Sequence, residues 1–128
     1  MKDDISDMIS SLVHFFSKSN EPWGIKYDKS SFIYANRRHR ELLAVPLDFN
    51  FEGRFDEDIP CCVAQFAPEF RQHDRKVESS GDRVTSLEIH PFENHDYLQP
   101  WFIDRYPLYD PLGKCRGTVG HGRPVENI

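Results

Sequence analysis

Apolar residues near the start of the chain recur at three- and four-residue spacing: Ile5, Met8, Ile9, Leu12, Val13 and Phe16. That period predicts an amphipathic helix, with Ser6, Asp7, Ser10, Ser11 and Lys18 on its other side. Asp3 or Asp4 is placed to cap it, and Asn20-Glu21-Pro22 stops it. Such a stripe must be buried, either on the rest of the domain or on a second copy of the chain. Beyond Pro22 the texture changes to short runs of β-formers, Trp23–Tyr27 and Phe32–Ala35. The turn-like Asp28-Lys29-Ser30-Ser31 between them predicts a hairpin. Asn36 stands where an N-cap belongs, before a short helix at Arg37–Leu43 that Pro46 stops. Residues 47–61 read as a loop with at most one helical turn.

A further helix has Pro68 in its first turn and Gly81 at its end, with Phe66, Phe70, His73 and Val77 on one face. The last third predicts three antiparallel strands over residues 84–92, 98–109 and 115–125. Their connections are the polar tip Glu93-Asn94-His95-Asp96 and the turn Asp110-Pro111-Leu112-Gly113-Lys114. This order predicts an α+β fold: a five-stranded antiparallel sheet with helices between the second and third strands. The central helices cover one sheet face. The N-terminal helix, residues 1–20, either covers the other or binds a partner.

At 128 residues the chain is one domain, and 38% hydrophobic with 29% charged residues makes it globular. Its net charge of −5 would repel nucleic acid and anionic membrane. Cys61, Cys62 and Cys115 fit neither a disulfide framework nor a zinc motif, so reduced thiols in a cytoplasmic protein are expected. No signal-peptide pattern opens the chain, and no run of about 18 apolar residues would span a membrane.

Candidate chemistry lies on the sheet. Two-residue alternation puts Glu88, His90 and Phe92 on one face, and Val119 with His121 on one face, while Arg105 adjoins Ile103. If those faces coincide, Glu88, His90, Arg105 and His121 line a patch for a small anionic or zwitterionic metabolite, with Arg105 as the fork. His90 and His121, helped by His95 or Asp96, could also hold a divalent metal. The favoured alternative is cross-strand polar pairing on a solvated face, with no metal. Phe66 and Phe70 are the helix residues expected to line a pocket. Gly117, Gly120 and Gly122 sit in a strand with no helix following, which excludes a dinucleotide-binding loop. Arg37-Arg38-His39-Arg40 reads as a solvated helix face or dimer contact. No nucleophile or general acid–base motif is present, so no catalytic residue is assigned.

Several stretches resemble PAS domains over residues 21–124. These are Ile33-Tyr34-Ala35-Asn36 before the short helix, Asp74, Val77 and Ser80-Gly81 at the helix-to-hairpin transition, and Pro107-Leu108-Tyr109-Asp110 with Gly113, Gly117 and Val119. Asp58-Ile59-Pro60, the helix from Ala67 to Val77 and Ser86-Leu87-Glu88-Ile89-His90-Pro91 resemble PAS modules that precede a LuxR-type helix-turn-helix in bacterial regulators. The resemblance implies a non-enzymatic sensor that binds a small molecule, dimerises and signals to a DNA-binding domain, with residues 125–128 starting the linker. The dimer contacts expected are Ile5, Met8, Ile9, Leu12 and Phe16. Heme is not expected, because Ala67 falls at the position of the heme ligand. Flavin is not expected either, because the cysteine loop of flavin-binding members is missing. The alternative reading is a small enzyme on a cone-shaped α+β scaffold, with an Asp/His pair in a hydrophobic pocket and the N-terminal helix held inside the cone.

Overall fold

Local signals place the elements. In the computed structural model, which describes residues 5–126, β1 (Trp23–Tyr27) and β2 (Phe32–Ala35) pair antiparallel with the predicted bounds. The Asn36 side chain accepts the backbone N–H of His39 at 3.0 Å and so caps α2 (Arg37–Leu43). Short 3₁₀ turns at Asp56–Asp58 and Cys62–Phe66 lead into α3 (Ala67–Ser80), which Gly81 ends at φ 72°. β3 (Val84–His90), β4 (Gln99–Tyr109) and β5 (Cys115–Pro124) complete an open antiparallel sheet of order β2-β1-β5-β4-β3. The strand predicted to reach Phe92 stops at His90, because Pro91 has no N–H for the ladder and Phe92–Asn94 turns away.

α1 (Ser6–Phe16) lies on the sheet face away from α2 and α3. Ile5 and Phe16 are buried there against Ile25, Leu108 and Val119, with Met8, Ile9, Leu12 and Val13 half-buried around them. Each fully buried apolar side chain contributes roughly 1.5–3 kcal/mol. Ile5 and Phe16, expected as dimer contacts, are therefore buried within the monomer. The proposed caps Asp3 and Asp4 lie outside the described residues. Asn36 anchors the end of α1. Its amide donates to the carbonyls of Phe16 and Glu21, and its oxygen accepts from Trp23 and His39. All four of its hydrogen bonds are thereby made in a side chain only 2% exposed.

On the same outer face Asp104 ties the last three strands together. It accepts from Thr85 at 2.6 Å and from Arg123 at 2.9 Å, and lies 3.4 Å from His121 Nδ1. Burial opposes its ionisation, but those partners hold its carboxyl at about 2. Among the described residues no helix is long and apolar enough to cross a membrane.

Candidate functional site

The inner face of the sheet and the helices α2 and α3 line a partly open cavity of about 100 Å³. Phe32, Leu42, Leu43, Phe70, Phe92 and Ile103 supply its apolar wall. Room exists because Gly24, Gly120 and Gly122 turn no side chain toward it. Gly24 also admits the ring of His39, which lies 2.8 Å from where a Cβ would stand.

The polar wall is a chain of buried charges. Lys26 Nζ reaches Asp56 at 2.8 Å and Asp74 at 3.1 Å, and Ser30 donates to Asp74 at 2.7 Å. Arg105 Nε lies 3.4 Å from Asp74, and its Nη1 donates to Glu88 at 2.6 Å. Thr118 completes this wall. Burial would lower the Lys26 ammonium, but Asp56 and Asp74 more than offset that and raise it. Burial likewise opposes the Asp74 and Glu88 carboxylates. Lys26 and Arg105 hold the first below its ordinary value, and Arg105 with Ser86 holds the second. Three acids face two bases, so the surplus falls on Asp56, whose burial raises its carboxyl despite Lys26. The cavity therefore offers donors and acceptors side by side beneath aromatic rings, which suits one small, flat, polar molecule.

His39 is held neutral, at about 4, first by burial and then by the Lys26 charge. A histidine whose folded value is depressed binds its proton first in the unfolded chain. Its contribution thus falls as pH drops from about 6.5 towards 4. Urea unfolding midpoints should decline across that window, and His39→Gln should flatten the decline. A wild-type midpoint constant over the same range would exclude this role for His39.

Sequence reasoning put Glu88, His90, Arg105 and His121 on one patch if their faces coincided. The structure divides them. Glu88, His90 and Arg105 share the inner face, whereas His121 pairs with Trp23 and Asp104 in the sheet ladder. The His121 ring stacks on Trp23 at 4.1 Å and lies 3.3 Å from Glu21, so the residue borders the cavity while its ring works on the α1 side. His90 and His121 cannot share a metal across the sheet. His95 stacks on Tyr97 at 4.7 Å, and Asp96 is exposed. The solvated face favoured for these polar groups is instead covered by α3, with Glu88, His90 and Arg105 all buried. Phe70 lines the cavity; Phe66 stacks on the His90 ring at 4.2 Å and does not.

No sequence motif marks Lys26, Asp56, Asp74 or His39 as site residues. Lys26 looks like the polar position of an alternating strand, and His39 like part of a solvated basic run. Of that run Arg37 is exposed, but Arg40 donates to the carbonyls of Pro46 and Leu47. Asp74 did carry a signal: it shares the helix stripe with Phe70 and Val77, where an acid needs a buried partner. Cys61 is half-buried, its thiol raised by burial, and Cys62 is exposed.

The cavity between an open five-stranded sheet and two helices agrees with comparisons to known proteins. Residues 16–127 match the PAS fold family. A phage VqmA–DPO complex is 38% identical, with TM-score 0.86 over 96% of this chain and 55% of that one. A Vibrio cholerae VqmA dimer, a LuxR-type receptor, is 31% identical, with TM-score 0.80 over 91% of this chain and 52% of that one. This chain thus spans little more than half the length of either VqmA chain. The PAS domain of Bordetella pertussis BvgS is similar in fold, with 14% identity and TM-score 0.77 over 95% of this chain and 89% of that one. No curated protein matches by sequence. Family match, topology and cavity agree, and the chain belongs to the PAS fold family.

Proposed function

We propose that this chain is the sensory module of a cytoplasmic LuxR-type transcription regulator, with residues 21–124 as sensor and residues 1–20 as an appended helix. It takes one small polar molecule into the cavity and signals its presence to a DNA-binding domain. The observation that carries this reading is the buried Lys26–Asp56–Asp74–Arg105–Glu88 wall facing aromatic rings. The cavity, about 100 Å³, is smaller than the roughly 150 Å³ that accommodates benzene, so it selects for a small ligand. DPO is the first molecule to test, because the VqmA proteins at 38% and 30% identity are bound to it. Calorimetry with DPO should give saturable one-to-one binding. A flat titration, with no small molecule retained in native mass spectrometry, would refute the sensor reading.

The module works without heme or flavin, so the purified protein should be colourless. A stoichiometric Soret or flavin band would contradict this. The enzyme reading placed the N-terminal helix inside a cone; α1 instead lies outside the sheet, opposite the cavity.

Self-association through α1 is part of the same proposal, now narrowed to the residues with surface to spare. Met8, Ile9 and Leu12 remain half-exposed on the helix, and Phe15 beside them is 74% exposed. Leu12→Asp should shift sedimentation from dimer to monomer before it unfolds the domain, because a charge in an apolar contact is strongly unfavourable. Wild-type protein that is already monomeric at roughly tens of micromolar, a range typical of weak association, would end the idea.

A further inference from the structure

Beside the cavity, α3 and β3 bring three metal-ligating side chains together, with a fourth, His90, next to one of them. Glu69 and His73 are one helical turn apart on α3, and Glu88 and His90 alternate onto the inner face of β3. His73 Nε2 lies 3.8 Å from Glu69 Oε1 and 3.9 Å from Glu88 Oε2. His90 Nε2 lies 3.3 Å from Glu69 Oε2. One donor atom from each of Glu69, His73 and Glu88 falls within 4.8 Å of the others. Ligands bound tetrahedrally at about 2.0–2.1 Å stand roughly 3.3 Å apart. Glu69, His73 and Glu88 approach that spacing and would close around one ion by contracting, while His90 reaches the group through Glu69.

A second observation points the same way. His90 is only 3% exposed, yet neither of its ring nitrogens has a hydrogen-bond partner among the described residues, and neither does Nε2 of His73. Buried polar atoms are seldom left so, because each costs free energy. The rings of Phe66, Phe70 and Phe92, at centroid distances of 4.2, 5.5 and 5.5 Å, hold the His90 imidazole in place. Arg105 and Ser86 both donate to Glu88 Oε2 and so fix the position of its carboxylate.

We propose that Glu69, His73, Glu88 and His90 form a binding site for a divalent transition metal, best matched by zinc. Two imidazoles beside two carboxylates suit zinc or cobalt, whereas calcium and magnesium take oxygen ligands. The site adjoins the cavity through Glu88 of β3, whose carboxylate also pairs with Arg105, so the ion and the sensed molecule would share one residue. It stands apart from the ligand reading, because its evidence is the Glu69–His73–Glu88 cluster and the unpartnered His90 ring, not the cavity.

The test uses the full chain, stripped with chelator and titrated with Zn²⁺ and, for its visible spectrum, Co²⁺. One ion per chain is expected, with the absorption bands of tetrahedral Co²⁺. Glu69→Gln and His73→Gln change half-exposed side chains, and each should weaken binding at least about tenfold with unchanged circular dichroism. His14→Ala, on the exposed side of α1, should leave binding as it was. No saturable uptake, or uptake unchanged in both cluster variants, would overturn the proposal. So would loss of uptake in His14→Ala. DPO calorimetry on the stripped protein reports separately on the cavity.

Discussion

Arg105→Met is expected to cost about 3–5 kcal/mol of folding stability, because it strands the buried Glu88 carboxylate and removes one of the two cations beside Asp74. The guanidinium side chain is 8% exposed and bonds Glu88 on one side and Asp74 on the other, whose side chains are 1% and 2% exposed. After the substitution Asp74 keeps Lys26, and Glu88 is left with Ser86 and a distant His73. Urea unfolding should show a lower midpoint with an unchanged slope, the mark of lost stability without a changed unfolded state. Arg105→Met combined with Glu88→Met should recover much of the loss, since removing both buried partners is often near neutral. A single-variant loss below about 1 kcal/mol, typical of exposed ion pairs, would show that this network is solvated.

Gly120→Val is expected to weaken ligand binding at least 100-fold, about 2.7 kcal/mol, while leaving the unfolding midpoint unchanged or higher. Gly120 lines the cavity, and a Cβ there meets nothing within 4 Å. A branched side chain would occupy the ligand's space and also suit a strand better than glycine does. Gly117, three residues earlier in β5, is the contrast: its Cβ would stand 1.9 Å from the Lys26 carbonyl oxygen. Gly117→Ala should therefore lower the midpoint. If Gly120→Val binds DPO as wild type does, the cavity is not the ligand site.

The three glycines of β5 show how far a sequence can be read. Their lack of a following helix was enough to exclude a dinucleotide loop. That one admits a neighbouring backbone and another leaves open a cavity depends on β5 lying between β1 and β4, and that follows from pairing distant in sequence.

By itself the sequence determined the elements. β1, β2 and α2 begin and end as read, and Pro68 and Gly81 bracket the start and end of α3, because caps, prolines and turns act over a few residues. Alternation alone also put Glu88 and His90 on one face. Only the tertiary structure decided which faces meet. Strand register reverses every side chain with a shift of one residue, so the sequence could not send His121 to the α1 side and Arg105 to the cavity. The buried charges were illegible for a related reason. Lys26 is stable inside only because Asp56 and Asp74, 30 and 48 residues further along, arrive beside it. A lone charged residue in a strand reads as solvated until its counter-charges are brought to it by folding.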